Sequence, residues 1–276
     1  QIPSGLIERV EIITNPSARY EAEGEVGIIN IILKKEKQKG LNGTFGLTAG
    51  YPENFGANYG LNFRRKSLNF FSNFGLTYRN SPGGGSSFQR EENDGVVSIL
   101  ESSQDRLRGG LNGNLELGSD WFINETNTLT GSMQFEVQDG SNRTDYVFRD
   151  LTGDEILIQE ANRLTLESED SYNLEADLNY RKTFDDKDRL WTVDFKYIFV
   201  DELELANYSE STDTSNIILE QRSSNTEDES RFQFQTDYSH PLGANAIAEV
   251  GAFVSRRRID NDFTVEEQES DEDWEP

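Results

Sequence analysis

The sequence predicts an all-β fold: a partial transmembrane antiparallel β-barrel of about nine strands in an open curved sheet, preceded by a short separate β segment. Three observations carry this. Apolar and polar residues alternate with a period of two in segment after segment, as they do in strands with two unlike faces. The apolar stretches run to about ten residues, which at about 3.3 Å per residue and a tilt near 45° spans about 23 Å. The connections are alternately short and long, the asymmetry of barrels that cross an outer membrane.

Composition agrees. Of 276 residues 34% are hydrophobic, the net charge is −25 and mean hydropathy is −0.71, yet there are 17 Phe, 10 Tyr and 23 Gly. A disordered chain is poor in aromatics. No run of 18 apolar residues occurs, which excludes a transmembrane helix but not a barrel, where only alternate residues face lipid. The absence of cysteine removes disulfides and thiolate metal sites. Acidity on this scale argues against a nucleic-acid partner, which demands clustered Lys and Arg.

Taken in order, residues 7–14 and 26–33 are two β-branched runs around a turn-rich middle. Segment 41–51 sets Leu41, Phe45, Leu47, Ala49 and Tyr51 against Thr44, Gly46, Thr48 and Gly50. Segment 57–64 sets Ala57, Tyr59, Leu61 and Phe63 against Asn58, Gly60, Asn62 and Arg64, and segment 68–78 repeats the pattern. The same alternation marks 107–117, 129–138, 172–181, 190–200, 232–239 and 246–255. Compact connections are expected at 65–67, 118–127, 183–188 and 240–245, and long loops at about 80–105, 140–170 and 201–230. Where the short turns meet the apolar bands stand Trp121, Tyr180, Trp191 and Tyr238, rings of the kind that form interfacial girdles.

In 6–35, Ile7-Glu8-Arg9-Val10-Glu11 leads to Asn15-Pro16-Ser17-Ala18, Tyr20, Gly24, Gly27, Ile29-Asn30-Ile31 and Lys34-Lys35. This order resembles the C-terminal half of the plug domain of TonB-dependent outer-membrane receptors, in the variant of the Bacteroidetes outer membrane β-barrel family. It covers about a tenth of the chain. It departs from the wider family at Thr14-Asn15, where many receptors have Arg-Gly, and at 20–27, where a glycine-rich run is usual.

The resemblance implies residues 1–39 as plug and 40–276 as the first part of the barrel. It also implies TonB-dependent uptake of a scarce nutrient (siderophore, vitamin, oligosaccharide or peptide) in the bacterial outer membrane, with long loops outside. The implied partners are outer-membrane lipid, the TonB–ExbB–ExbD energy-transducing complex, a small nutrient ligand and a surface lipoprotein. With Gln1 first and no leader-like segment, the chain is read as a piece of a longer exported protein.

The plug-motif residues Glu8, Arg9, Glu11, Asn15, Pro16, Gly24, Gly27 and Asn30 are the candidates the resemblance supplies. The charged ones are expected to pair with the inner barrel wall, since enclosed charges are expensive unpaired. The alternative is that they are solvated faces of an ordinary strand. The hairpin they form is expected on the polar, concave face of the sheet.

Stretch 201–230 holds nine Asp or Glu against one Arg, and 266–275 holds seven with no base. They read either as an entrance that concentrates cations or as simple solubility. Asp185-Asp186-Lys187-Asp188 lacks the spacing and glycine of a calcium loop, and Arg256-Arg257-Arg258 reads as a contact for anionic lipid heads or as a solvated strand end. No catalytic residue, metal site or cofactor is expected: His240 is the one histidine, and no nucleophile elbow or phosphate loop is present. Rival readings are a non-transporting barrel receptor or adhesin and a soluble secreted β-sandwich.

Overall fold

A computed structural model describes residues 7–13, 28–33, 40–186, 188–212, 216–243, 246–268 and 273–275, with backbone alone for 7–13, 28–33 and 216–218. The described residues form strands and turns and no helix. Strands β1 (Ile7–Ile13) and β2 (Ile28–Leu33) pair antiparallel as a separate two-stranded sheet. Strands β3 (Gly40–Gly50), β4 (Asn54–Arg65), β5 (Leu68–Asn93), β6 (Val96–Phe122), β7 (Asn127–Thr152), β8 (Leu157–Thr183), β9 (Leu190–Thr212), β10 (Asn216–Pro241) and β11 (Ile247–Gln268) follow. These nine form one open, curved antiparallel sheet in which every strand lies beside its sequence neighbours.

The apolar alternation becomes continuous rows once the strands are in register. Phe45, Tyr59, Phe74, Leu115, Phe135, Leu174 and Phe199 stand side by side across seven strands. This face is open: Phe45 is 72% exposed, Met133 54% and Val254 59%. Ile99, 4% exposed, is the one buried hydrophobic side chain among the described residues. A water-soluble domain buries its apolar face against a second layer. Among the described residues no second sheet covers it, and the apolar face stands open.

The band also runs obliquely. The first outward charge on β11 is Arg256, whose hydrogen-bonded row passes through Phe232, Tyr197, Ala176 and Met133. On β7 the first outward charge is Asp139, six residues past Met133 and four strands away. At about 3.4 Å per residue and about 4.8 Å between strands, this corresponds to a tilt of about 45°. That is the inclination of strands in a membrane barrel.

Strand lengths correct the sequence reading. The stretches 80–105, 140–170 and 201–230 are expected as long loops, yet β5–β10 run for 23 to 27 residues and carry the ladder through them. The expected ten-residue strands are the lower halves of these longer ones. The tip between β5 and β6 is two residues, Asp94 (φ 49°) and Gly95 (φ 80°), a pair with positive φ at both positions, as tight hairpin turns need. At the other end the turns are short, as expected: Lys66-Ser67, 123–126, 184–189 and 242–246.

The hairpin of β1 and β2 is a sheet of its own and is not hydrogen-bonded into the nine-stranded sheet among the described residues. Its register sets Glu11 opposite Asn30 and Arg9 opposite Ile32, with a bulge between Ile7 and Arg9 at Glu8. Asn15, Pro16, Gly24 and Gly27 lie outside the described residues.

Candidate functional site

The concave face carries the polar half of the alternation. On β3–β5 it is lined by small residues, among them Gly46, Gly56, Gly60 and Gly75; on β7–β9 Glu, Gln, Asn and Asp predominate at the facing positions, with Lys196, Ile198 and Val200 among them on β9. Small residues beside long ones leave a hollow of about 430 Å³, lined by Thr77, Asn112, Glu136, Gln138, Glu169 and Glu202 among others. Asn173 also lines it, with a buried Oδ1 that has no hydrogen-bond partner.

Below the hollow the polar side chains cross-link the strands. Asn73 donates to Glu116 at 2.7 Å, and Thr130 and Asn69 donate to Asp120 at 2.7 and 3.0 Å. Lys196 bridges Glu175 at 2.6 Å and Asp177 at 3.4 Å. Each link joins neighbouring strands, so this wall is braced by its own side chains.

At the level of the hollow and above it, charge is less balanced. Carboxylate oxygens of Glu169, Glu202 and Glu204 lie within 4.8 Å of one another; Glu169 accepts from Gln138 Nε2 at 2.7 Å and Glu204 from Asn225 Nδ2 at 3.3 Å. All three lie beyond the apolar band of their strands, which ends at Tyr172 and Phe199. The Glu202 carboxyl is held above its ordinary pKa, first by desolvation and then by Glu204, Glu169 and Glu227. Carboxylates crowded in this way favour a cationic neighbour. The sequence reading named no such group, because its members come from two strands and meet only through register.

Farther along, Glu229 is buried, accepts from Arg257 and forms a 3.0 Å ion pair with Arg231. The hydrogen bond from Arg257 holds its pKa below the ordinary value. Two arginines fixed by one acid keep a cationic patch on the same wall.

Three of the four girdle residues meet. Tyr180 and Trp191 pack edge to face at 5.6 Å, Trp191 Nε1 donates to Thr236 at 3.0 Å, and Tyr238 lies beside Trp191 in register. Trp121 stands one strand pair away, between Leu68 and Leu129, and is 48% exposed. The sequence reading missed the cluster next to Tyr238. Arg189 packs on Phe184 at 4.1 Å and donates to Tyr238 at 2.8 Å, and Tyr238 also contacts His240. The two-residue spacing of Tyr238 and His240 was the available signal, since it sets both on one face.

Residues 182–276, about a third of the chain from the end of β8 through β11, match the model of a family described as "Outer membrane protein beta-barrel family". No curated protein and no solved structure matches the chain. The matched stretch includes exposed apolar faces of β9–β11, so the family likeness and the exposed band point to the same architecture, part of an outer-membrane β-barrel.

Proposed function

We propose that the chain is part of a TonB-dependent outer-membrane transporter that takes up a scarce polar nutrient carrying positive charge or a bound cation. The observation that carries this is the hollow on the concave face, walled by amides and carboxylates, level with the upper part of the apolar band on the opposite face, with the crowded carboxylates just above the band. A ligand reaching the lumen from the side of the long hairpins meets this surface first. The plug-like motif of 6–35 supports energised uptake over a passive pore. On this reading the short turns face the periplasm, the hairpins project outside, and the energy-transducing complex and a surface lipoprotein are the partners. The reading includes no catalysis and no resident cofactor.

The test uses the full-length protein in its own host. A deletion strain is grown with ferric chelate, vitamin, oligosaccharide or peptide limiting in turn. Growth is expected to fail for one of them and to return with the wild-type gene, but not in a strain lacking the energy-transducing complex. Normal growth in every case, with the protein present in the membrane, would favour the receptor or adhesin reading. Recovery of the protein in the aqueous phase after detergent phase separation would remove the membrane assignment altogether.

A further inference from the structure

At the short-turn end, three basic side chains and two rings form one outward-facing cluster between β8 and β10. Lys182 shares the face of Tyr180 and pairs in register with Trp191; Tyr238 and His240 continue the face of Phe232 and Phe234. Lys182 Nζ lies 5.1 Å over the ring of Phe184, whose centroid is 4.1 Å from the Arg189 guanidinium. Arg189 Nε donates to Tyr238 Oη at 2.8 Å, and Tyr238 Oη lies 3.2 Å from His240 Nδ1. Stacking on Phe184 and the bond from Nε fix the guanidinium plane and leave its terminal nitrogens to fork onto an oxyanion.

The basic groups of this cluster have no carboxylate partner among the described residues. The chain has 51 acidic residues to 26 Lys and Arg, and four outward-facing arginines of the long hairpins have carboxylate partners, although Arg256 at the upper edge of the band has no ion pair among the described residues. Arg143 has Asp145 at 2.8 Å, Arg149 has Glu160 at 2.9 Å, Arg222 has Glu266 at 2.5 Å and Arg258 has Asp260 at 2.6 Å. Lys182, Arg189 and His240 contact rings and the Tyr238 hydroxyl and form no ion pair among the described residues, although Asp185, Asp186 and Asp188 stand in the same turn. They sit at the edge of the apolar band, where the anion at hand is a lipid phosphodiester.

We propose that Lys182, Arg189 and His240, oriented by Phe184 and Tyr238, bind the phosphate of an anionic phospholipid in the leaflet at the short-turn rim. The inference rests on the membrane reading above. Its test takes the full-length protein in detergent, adds phosphatidylglycerol or phosphatidylcholine, and counts retained lipid by native mass spectrometry. Wild type is expected to retain phosphatidylglycerol preferentially. Lys182→Gln and Arg189→Gln should each weaken retention about fivefold, the effect of about one basic group at a charged lipid surface. Arg90→Gln, near the tip of the β5–β6 hairpin and far from the apolar band, should change nothing.

Inorganic phosphate should not displace the lipid, because acyl chains hold it against the band as well; displacement would overturn the lipid assignment. Equal retention of the two lipids, or unchanged retention by both Gln variants, would also overturn the proposal. Lys182→Gln removes only a cation–ring contact, so it supplies the reading should Arg189→Gln fail to fold. Protein that never enters the detergent phase would instead sink the membrane reading itself.

Discussion

The two halves of the long strands are built by different rules. Below, from the short turns to about Leu107, Val137, Tyr172, Phe199 and Phe232, one face is apolar and the other is cross-linked by polar bonds. Above, charged and polar residues are mixed with apolar ones on both faces, and like charges stand directly opposite: Asp105 by Asp145, Asp139 by Asp170, Glu202 by Glu227 and Asp201 by Asp228. Such pairs are destabilising. The upper half is nonetheless continuous sheet, clipped by bridges such as Arg163–Glu210 at 2.6 Å. Side chains select the face in the lower half; in the upper half the backbone ladder, already aligned from below, carries the strands on.

Charge placement gives the largest expected contrast. Phe135→Arg puts a cation in the middle of the seven-strand apolar row, which should cost about 2–4 kcal/mol at a bilayer midplane. Ser86→Arg, outward-facing on β5 but in the upper half, should stay within about 0.5 kcal/mol of wild type. Urea unfolding of the full-length protein in lipid vesicles measures both. Equal costs would erase the distinction between the halves.

The same division explains what was legible in the sequence. Leu41 to Tyr51 or Trp191 to Phe199 reads as strand because burial in lipid demands period two. Beyond Tyr78 and Phe199 the alternation stops, and a stretch such as Asn80 to Asp94 looks like a loop. The missed clue was Asp94-Gly95, a tight-turn pair that makes sense only with strands on either side. The carboxylate group was hidden for another reason. Glu169 is 33 residues from Glu202 in sequence, and only the β8–β9 register sets Glu169 opposite Glu204. The cluster of Phe184, Arg189 and Tyr238 likewise depends on a turn folding back over β10.

A smaller effect is expected at the short-turn rim. Trp191→Ala removes the edge-to-face contact with Tyr180 and the bond to Thr236, together about 1–2 kcal/mol. Trp191→Phe should recover the ring contact alone. Phe88→Ala, on a ring 61% exposed in the upper half, should cost less than about 0.5 kcal/mol. A cost for Phe88→Ala as large as that for Trp191→Ala would mean that the upper half is packed against something.

The finest contrast is in pH dependence, which should run oppositely at two places in the β9–β10 hairpin. Asp201 and Glu202 are held above their ordinary pKa values, Asp201 by desolvation and then by Asp228 opposite it. The folded hairpin therefore binds protons more readily than the unfolded chain there, and stability rises as pH falls through the raised values. The gain levels off near pH 4, where the unfolded carboxyls also protonate. Glu229 is held low by Arg257 and Arg231, so its contribution persists through that window and is lost only as pH falls through its depressed value. Amide protection factors across 201–204 and 226–228 should thus rise between pH 7 and about 4 and fall again below it. Asp201→Asn should flatten part of the rise and leave the fall, whereas Glu229→Gln should remove the fall and leave the rise. A hairpin whose protection declines steadily from pH 7 downward would show that the facing carboxylates do not repel, and the rule separating the two halves would fail.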